Sequence, residues 1–239
     1  MPARPRVVTF DVVETLMSLE PLRQRFSDYG LPSALLERWF DRLLRDGMAL
    51  TLAGDYEPFP RVAAAALRTL TRGDIDDAAV EHVMAGFAEL PAHSDAEPAM
   101  RLLADAGISM VCLSNGAART TEEFLDRTGL REYVEEVISV ADVRSWKPPA
   151  RVYEYALERI GRTAAEVALV AVHAFDCHGA RRVGLTTGWA SRLEGHYPDI
   201  FEPADVEGTD LVEVARGLLA LDSDTTPAGP TWTRRHIRE

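Results

Sequence analysis

The stretch Val7-Val-Thr-Phe-Asp-Val-Val-Glu-Thr-Leu16 decides how the chain is read. Its first four residues are β-branched or aromatic, the pattern of a strand buried on both faces, and the run stops at an acid, Asp11. Three further runs of this kind follow: Ile108-Ser-Met-Val-Cys-Leu113, Val167-Ala-Leu-Val-Ala-Val172 and Leu185-Thr-Thr-Gly-Trp-Ala190. Val134 to Val140 is a fifth candidate, and Asp210-Leu-Val marks a short sixth. Helical patterns separate these runs, and that alternation predicts a doubly wound α/β fold with a parallel sheet.

The first two strands are separated by some ninety residues without a strand signal. Arg23 to Tyr29, Pro32 to Thr51, Pro60 to Thr71 and Asp76 to Glu89 carry apolar residues at three- and four-residue spacing. That is too much chain for one crossover helix, so we expect an inserted α-helical cap over residues 17–92. The core then comprises residues 1–16 and 93–221. Pro91 to Pro98 is the expected return hinge, and residues 222–239 are expected to form a flexible tail, being polar and aperiodic.

Composition narrows the classes of partner. The 239 residues hold 26 Lys and Arg against 38 Asp and Glu, a net charge of −12 that repels phosphate backbones and anionic lipid surfaces. We therefore expect neither nucleic acid nor membrane as a partner. The two cysteines, Cys112 and Cys177, form neither a disulfide framework nor a Cys-x-x-Cys site, and the N-terminal apolar run is too short for a signal or a span. These features lead us to expect a cytoplasmic chain.

In an open parallel sheet, ligands bind beyond the carboxyl ends of the strands. There this sequence places Asp11, then Ser114-Asn115-Gly116, then Lys147, then His173 and Asp176. An ammonium beside a carboxylate keeps it ionised and fixed in position, which suits Asp11 and Lys147 to nucleophilic chemistry. Ser114 and Asn115 offer short polar donors for an anion, and Asp176 is a second acid able to activate water. Asp176 is alternatively a cap of the helix starting near Cys177. Thr15 is placed to brace the loop after the first strand. Trp39 and Phe40 share helical spacing with Leu36 and Leu43, which reads as the core of the insertion, with Arg38 and Arg42 as solvated charges.

Four segments, in this order, resemble the motifs of the haloacid dehalogenase superfamily, most closely its L-2-haloacid dehalogenase branch. They are Phe10-Asp-Val-Val-Glu-Thr-Leu16, Leu113-Ser-Asn-Gly116, Trp146-Lys-Pro-Pro-Ala-Arg-Val-Tyr153 and Val170-Ala-Val-His-Ala-Phe-Asp-Cys-His-Gly-Ala180, with Gly-Trp-Ala-Ser-Arg192 following. The resemblance implies a Rossmann-like core and a hydrolase with Asp11 as nucleophile, Lys147 and Asp176 as catalytic partners, and Ser114, Asn115, His173, Val13 and Phe40 at the substrate. It implies a small organic acid as substrate, a 2-halo acid converted to the 2-hydroxy acid with inversion, no metal or cofactor, and association as a homodimer.

Phosphatases of this superfamily carry an acid two places after the nucleophile, where this chain has Val13, and a paired acid in the fourth motif, where it has Val172. Relative to the dehalogenase branch, Val13 replaces an aromatic hydroxyl, Phe40 stands near the place of a halide-binding Arg, and Ala171 and His173 replace Ser and Asn. Glu14 occupies a place that is usually small. Two alternatives stay open on the sequence: a phosphatase that recruits Glu14 as its acid, and a scaffold that has lost catalysis.

Overall fold

The computed structural model of the chain describes residues 2–222. Six parallel strands form one sheet: β1 (Val7–Phe10), β2 (Ser109–Ser114), β3 (Glu136–Ser139), β4 (Val167–Ala171), β5 (Thr186–Ala190) and β6 (Val206–Gly208). Their order is β3-β2-β1-β4-β5-β6, so the direction of winding reverses between β1 and β4. A crevice opens at such a reversal, beyond the carboxyl ends of the two strands. Phe10 at the end of β1 lies level with Cys112 of β2 and Val170 of β4, which brings the residues following each strand to one edge. All residues of β1, β4 and β5 are buried, as their continuous apolar runs require in a sheet covered on both faces.

Helices α5 (Ala96–Asp105), α6 (Ala118–Thr128), α7 (Ala150–Ile160), α8 (Ala174–Arg182) and α9 (Leu211–Leu219) alternate with the strands. Between β1 and α5 run α1 (Leu22–Asp28), α2 (Leu35–Ala53), α3 (Phe59–Leu70), α4 (Asp77–Ala85) and a 3-10 turn, Gly86–Glu89. In α2, Leu36, Trp39, Phe40, Leu43 and Gly47 recur every three or four residues and are buried. The Trp39 indole donates to the carbonyl of Ala63 at 2.9 Å, tying α2 to α3 in keeping with a core role for this residue. The chain enters and leaves these helices side by side: the Ser18 amide donates to Pro91 O and the His93 amide to Leu16 O, at 2.9 and 2.8 Å.

Four expectations need correction. The sixth strand is Val206–Gly208, a short edge strand; Asp210 instead caps α9, its side chain accepting from the Glu213 amide at 2.8 Å. The fifth candidate shrinks to Glu136–Ser139, because Val140 already turns into a 3-10 segment. Pro98 belongs to the first turn of α5, where its missing N–H costs nothing, so the return hinge ends before Ala96. Helix α8 begins at Ala174 after His173, which puts Asp176 inside its first turn and not at the cap. The tail expected beyond Asp222 lies outside the described residues. No described helix is long and apolar enough to cross a membrane.

Candidate active site

Asp11 leaves β1 still joined to β4, its amide donating to Val170 O at 3.0 Å. One carboxylate oxygen, Oδ2, accepts from the Thr15 hydroxyl at 2.6 Å, and the same Thr15 oxygen accepts from the Val172 amide at 3.1 Å. Thr15 therefore orients the acid and fastens its loop to the end of β4. The loop is tight: the Leu16 and Met17 amides both return to Val12 O, and the Glu14 amide donates to Met17 O. This closure puts Glu14 at φ 66°, a left-handed conformation that costs a residue with a Cβ about 1–2 kcal/mol. Arg192, after β5, holds the strained loop by donating to the carbonyls of Glu14 and Thr15, while pairing with Asp95 at 2.7 Å.

Lys147 sits between β3 and α7 with its side chain 1% exposed. All three of its ammonium protons are used, toward Asp11 Oδ1 at 2.6 Å, Asp176 Oδ2 at 2.6 Å and Leu113 O at 3.0 Å. Burying an ammonium is costly, and only such complete pairing offsets it. Its backbone amide donates to Asn115 Oδ1 at 3.0 Å, so the turn after β2 positions the lysine. That turn is held in its own right: the Gly116 amide donates to Ser114 Oγ at 2.9 Å, and the Ser139 hydroxyl donates to Gly116 O at 2.8 Å. On the far side of Lys147, Asp176 Oδ1 accepts from the Tyr153 hydroxyl at 2.6 Å.

The two acids are driven apart in acidity. Burial opposes ionisation of Asp11, but the Lys147 charge, His173 and the hydrogen bonds from Lys147 and Thr15 outweigh it, holding this carboxyl below its ordinary range. Asp176 moves the other way, because full burial and the charge of Asp11 outweigh the help of Lys147 and Tyr153. Burial would lower the Lys147 ammonium, yet the two carboxylates raise it. Asp11 is the ionised acid of the pair, and Asp176 the more basic one.

His173 follows β4 and stacks with two rings, Phe40 of α2 at 6.1 Å and Phe175 of α8 at 5.3 Å. Its Nε2 is 3.5 Å from Glu14 Oε2. Burial pushes His173 down, and burial together with Asp11, Asp41 and Glu37 pushes Glu14 up to about 8. Near neutral pH the pair is thus an uncharged imidazole beside a protonated carboxyl. Arg38 is exposed, and Arg42 pairs with Asp46 at 3.3 Å.

The structure brings Asp11, Thr15, Lys147 and Asp176 into one hydrogen-bonded cluster and joins Asn115 to it through the Lys147 backbone. His173 and Phe40 form a separate aromatic contact, and Val13 is half buried in the nucleophile's loop. Sequence reasoning assigned no role to Tyr153, Arg192 or Phe175. A tyrosine inside a buried motif does signal a need for a hydroxyl partner, but not which one. The donor set does not suit a magnesium ion, which takes several oxygen ligands. The ammonium of Lys147 lies between the two acids, Val172 stands where a further acid is needed, and among the described residues no three acidic, histidine or cysteine side chains converge.

The fold is a doubly wound parallel sheet, and the cluster of two acids and a lysine lies at its carboxyl edge. The chain belongs to the haloacid dehalogenase-like hydrolases, whose family model matches residues 5–184. It is 26% identical over 210 residues to an (S)-2-haloacid dehalogenase of Pseudomonas putida, covering 86% of this chain and 91% of that one. It is 28% identical over 215 residues to (S)-2-haloacid dehalogenase 4A of Burkholderia cepacia, covering 87% and 93%. A solved L-2-haloacid dehalogenase superposes with a TM-score of 0.85 at 28% identity, covering 90% of this chain and 99% of the other.

Proposed function

We propose that the protein hydrolyses a small 2-halo carboxylic acid to the 2-hydroxy acid, through an ester on Asp11. The observation that carries this reading is the lysine bridge, 2.6 Å to Asp11 and 2.6 Å to Asp176, beside Val13 where leaving-group protonation of a phosphate ester would need an acid. Asp11 Oδ attacks C2, the carbon–halogen bond breaks and the halide departs with its electron pair, inverting C2. Water then adds to the carboxyl carbon of the ester and gives its proton to Asp176. Collapse breaks the bond between the carboxyl carbon and the oxygen on C2. That oxygen takes the second proton of the added water to become the product's hydroxyl, and the Asp11 carboxylate returns while the proton on Asp176 passes to solvent.

Ser114 and Asn115 hold the substrate carboxylate, the Asn115 amide hydrogens being left to the cleft once its oxygen has accepted from Lys147. His173, an uncharged imidazole whose Nε2 is 3.5 Å from Glu14, supplies an N–H donor for the departing halide in place of an arginine. Residues 17–92 act as the cap that excludes water, with Phe40 closing on His173. Both cysteines are free and buried, which suits a reducing cytoplasm.

The test is halide release from 2-chloro, 2-bromo and 2-fluoro acids in metal-free buffer, with Asp11→Asn as control. Release that disappears in the control supports the reading. Release undiminished by Asp11→Asn, or a strict magnesium requirement with phosphomonoesters as the only substrates, overturns it.

A further inference from the structure

A cavity of about 220 Å³ adjoins the nucleophile's loop. Its floor is Val12, Val13 and Ser114, and its wall is Phe59 of α3, Met84 of α4 and Phe87 of the 3-10 turn. Ala85 and Ala88 line it as well and reach solvent, so their small side chains leave its mouth open. The charged group on the lining, Glu123, is exposed and bonded to Arg119 at 2.8 Å. Ser114 beside the nucleophile's loop, with Thr120 and Thr121 of α6, gives the cavity one polar side, and the rest of the wall is mostly hydrocarbon.

At about 30 Å³ per water-sized group, the space holds roughly seven such groups, more than the carbon skeleton of a two- or three-carbon acid fills. Against the wall of Phe59, Met84 and Phe87 water finds no strong polar partner, whereas methylenes gain contact there. We propose that this cavity receives an apolar chain of the substrate, so that the enzyme acts on medium-chain 2-halo acids, of about four to seven carbons, in preference to halogenated acetate or propionate. The proposal rests on the dehalogenation reading for its chemistry and on the cavity alone for its chain length.

Binding and turnover separate the two. Calorimetry on the Asp11→Asn protein with the unhalogenated acids from acetate to heptanoate measures the cavity without chemistry. Affinity should rise about threefold to fourfold for each methylene until the space is filled, then level off. Ala88→Phe and Ala85→Trp, each checked for folding by its melting temperature, should flatten that rise. On the wild-type protein, kcat/KM for 2-bromo acids should climb in the same order.

Affinity that stays flat from propionate to heptanoate overturns the proposal, as does a rise that survives both substitutions. If affinity climbs but no acid releases halide, the cavity assignment stands and the dehalogenation reading falls. If halide is released equally at every chain length, dehalogenation stands and the chain-length proposal falls.

Discussion

Gly47 of α2 lies flat against the indole of Trp146, so closely that a Cβ on Gly47 would stand 2.4 Å from the ring. Trp146 is anchored there by two donations, from its amide to Thr51 Oγ1 at 2.9 Å and from its indole N–H to Glu57 O at 3.0 Å, and by stacking on Phe59. It also directly precedes Lys147. Gly47→Ala must displace the ring, and overpacking of this kind costs about 1–3 kcal/mol. We expect a melting temperature several degrees lower and a fall in kcat, because the displaced segment carries the lysine; calorimetric melting and steady-state kinetics check both.

Lys147→Met would strand two carboxylates in the interior. Losing one partner of a buried ion pair costs about 3–5 kcal/mol, and activity should vanish with the counter-ion of Asp11. The sign of the pH response follows from the same loss. Without the ammonium both acids have folded-state values raised above their unfolded ones, so the variant should gain stability as pH is lowered from 7 toward 5. Urea unfolding across that range tests the direction.

Glu14 gives stability a separate dependence on pH. Its folded value of about 8 lies above the ordinary 4.5, so ionisation opposes folding, and its contribution to stability is present below about pH 4.5 and lost as pH rises through about 8. Glu14→Gln should remove that slope. The variant's stability relative to wild type should increase from pH 5 to pH 8 by more than about 1 kcal/mol, since a tenfold difference in proton affinity between the folded and unfolded chain corresponds to about 1.4 kcal/mol. Equal slopes in the two proteins would show that Glu14 binds its proton equally well in the folded and unfolded chain, and so that its folded value is not raised.

Tyr153→Phe removes the hydroxyl from Asp176 Oδ1 while keeping the ring. A hydrogen bond to a charged group contributes about 1.5–3 kcal/mol, and the loss should appear in denaturant midpoints. If Asp176 takes the proton of the hydrolytic water, the second half-reaction slows more than the first. Intact-protein mass spectrometry during turnover should then reveal ester on the variant that does not accumulate on wild type.

The strands that determine the fold were legible because they are apolar on both faces. Val7–Phe10, Ser109–Ser114 and Val167–Ala171 stand out from their neighbours without any knowledge of partners. The edge strand Val206–Gly208 did not, being three residues long with its middle residue, Glu207, exposed. Asp11, Lys147 and Asp176 were legible as acids and an ammonium at strand ends. Their flanking supports were not: Arg192 reaches Thr15 across 177 residues, and nothing local to either residue announces the contact.

By itself the sequence determined the order of buried and amphipathic segments, hence a parallel sheet with its chemistry at one edge, and it supplied the charged groups that meet there. Those are properties of neighbouring residues, set by periodicity and side-chain type. Only the tertiary structure decided that one ammonium serves two carboxylates, that Asp11 is the acid held ionised while Glu14 is held protonated, and that an apolar cavity opens beside the nucleophile. Desolvation and Coulomb energy depend on burial and on distances through space, and Lys147 and Asp11 are 136 residues apart along the chain before the sheet order brings them to 2.6 Å.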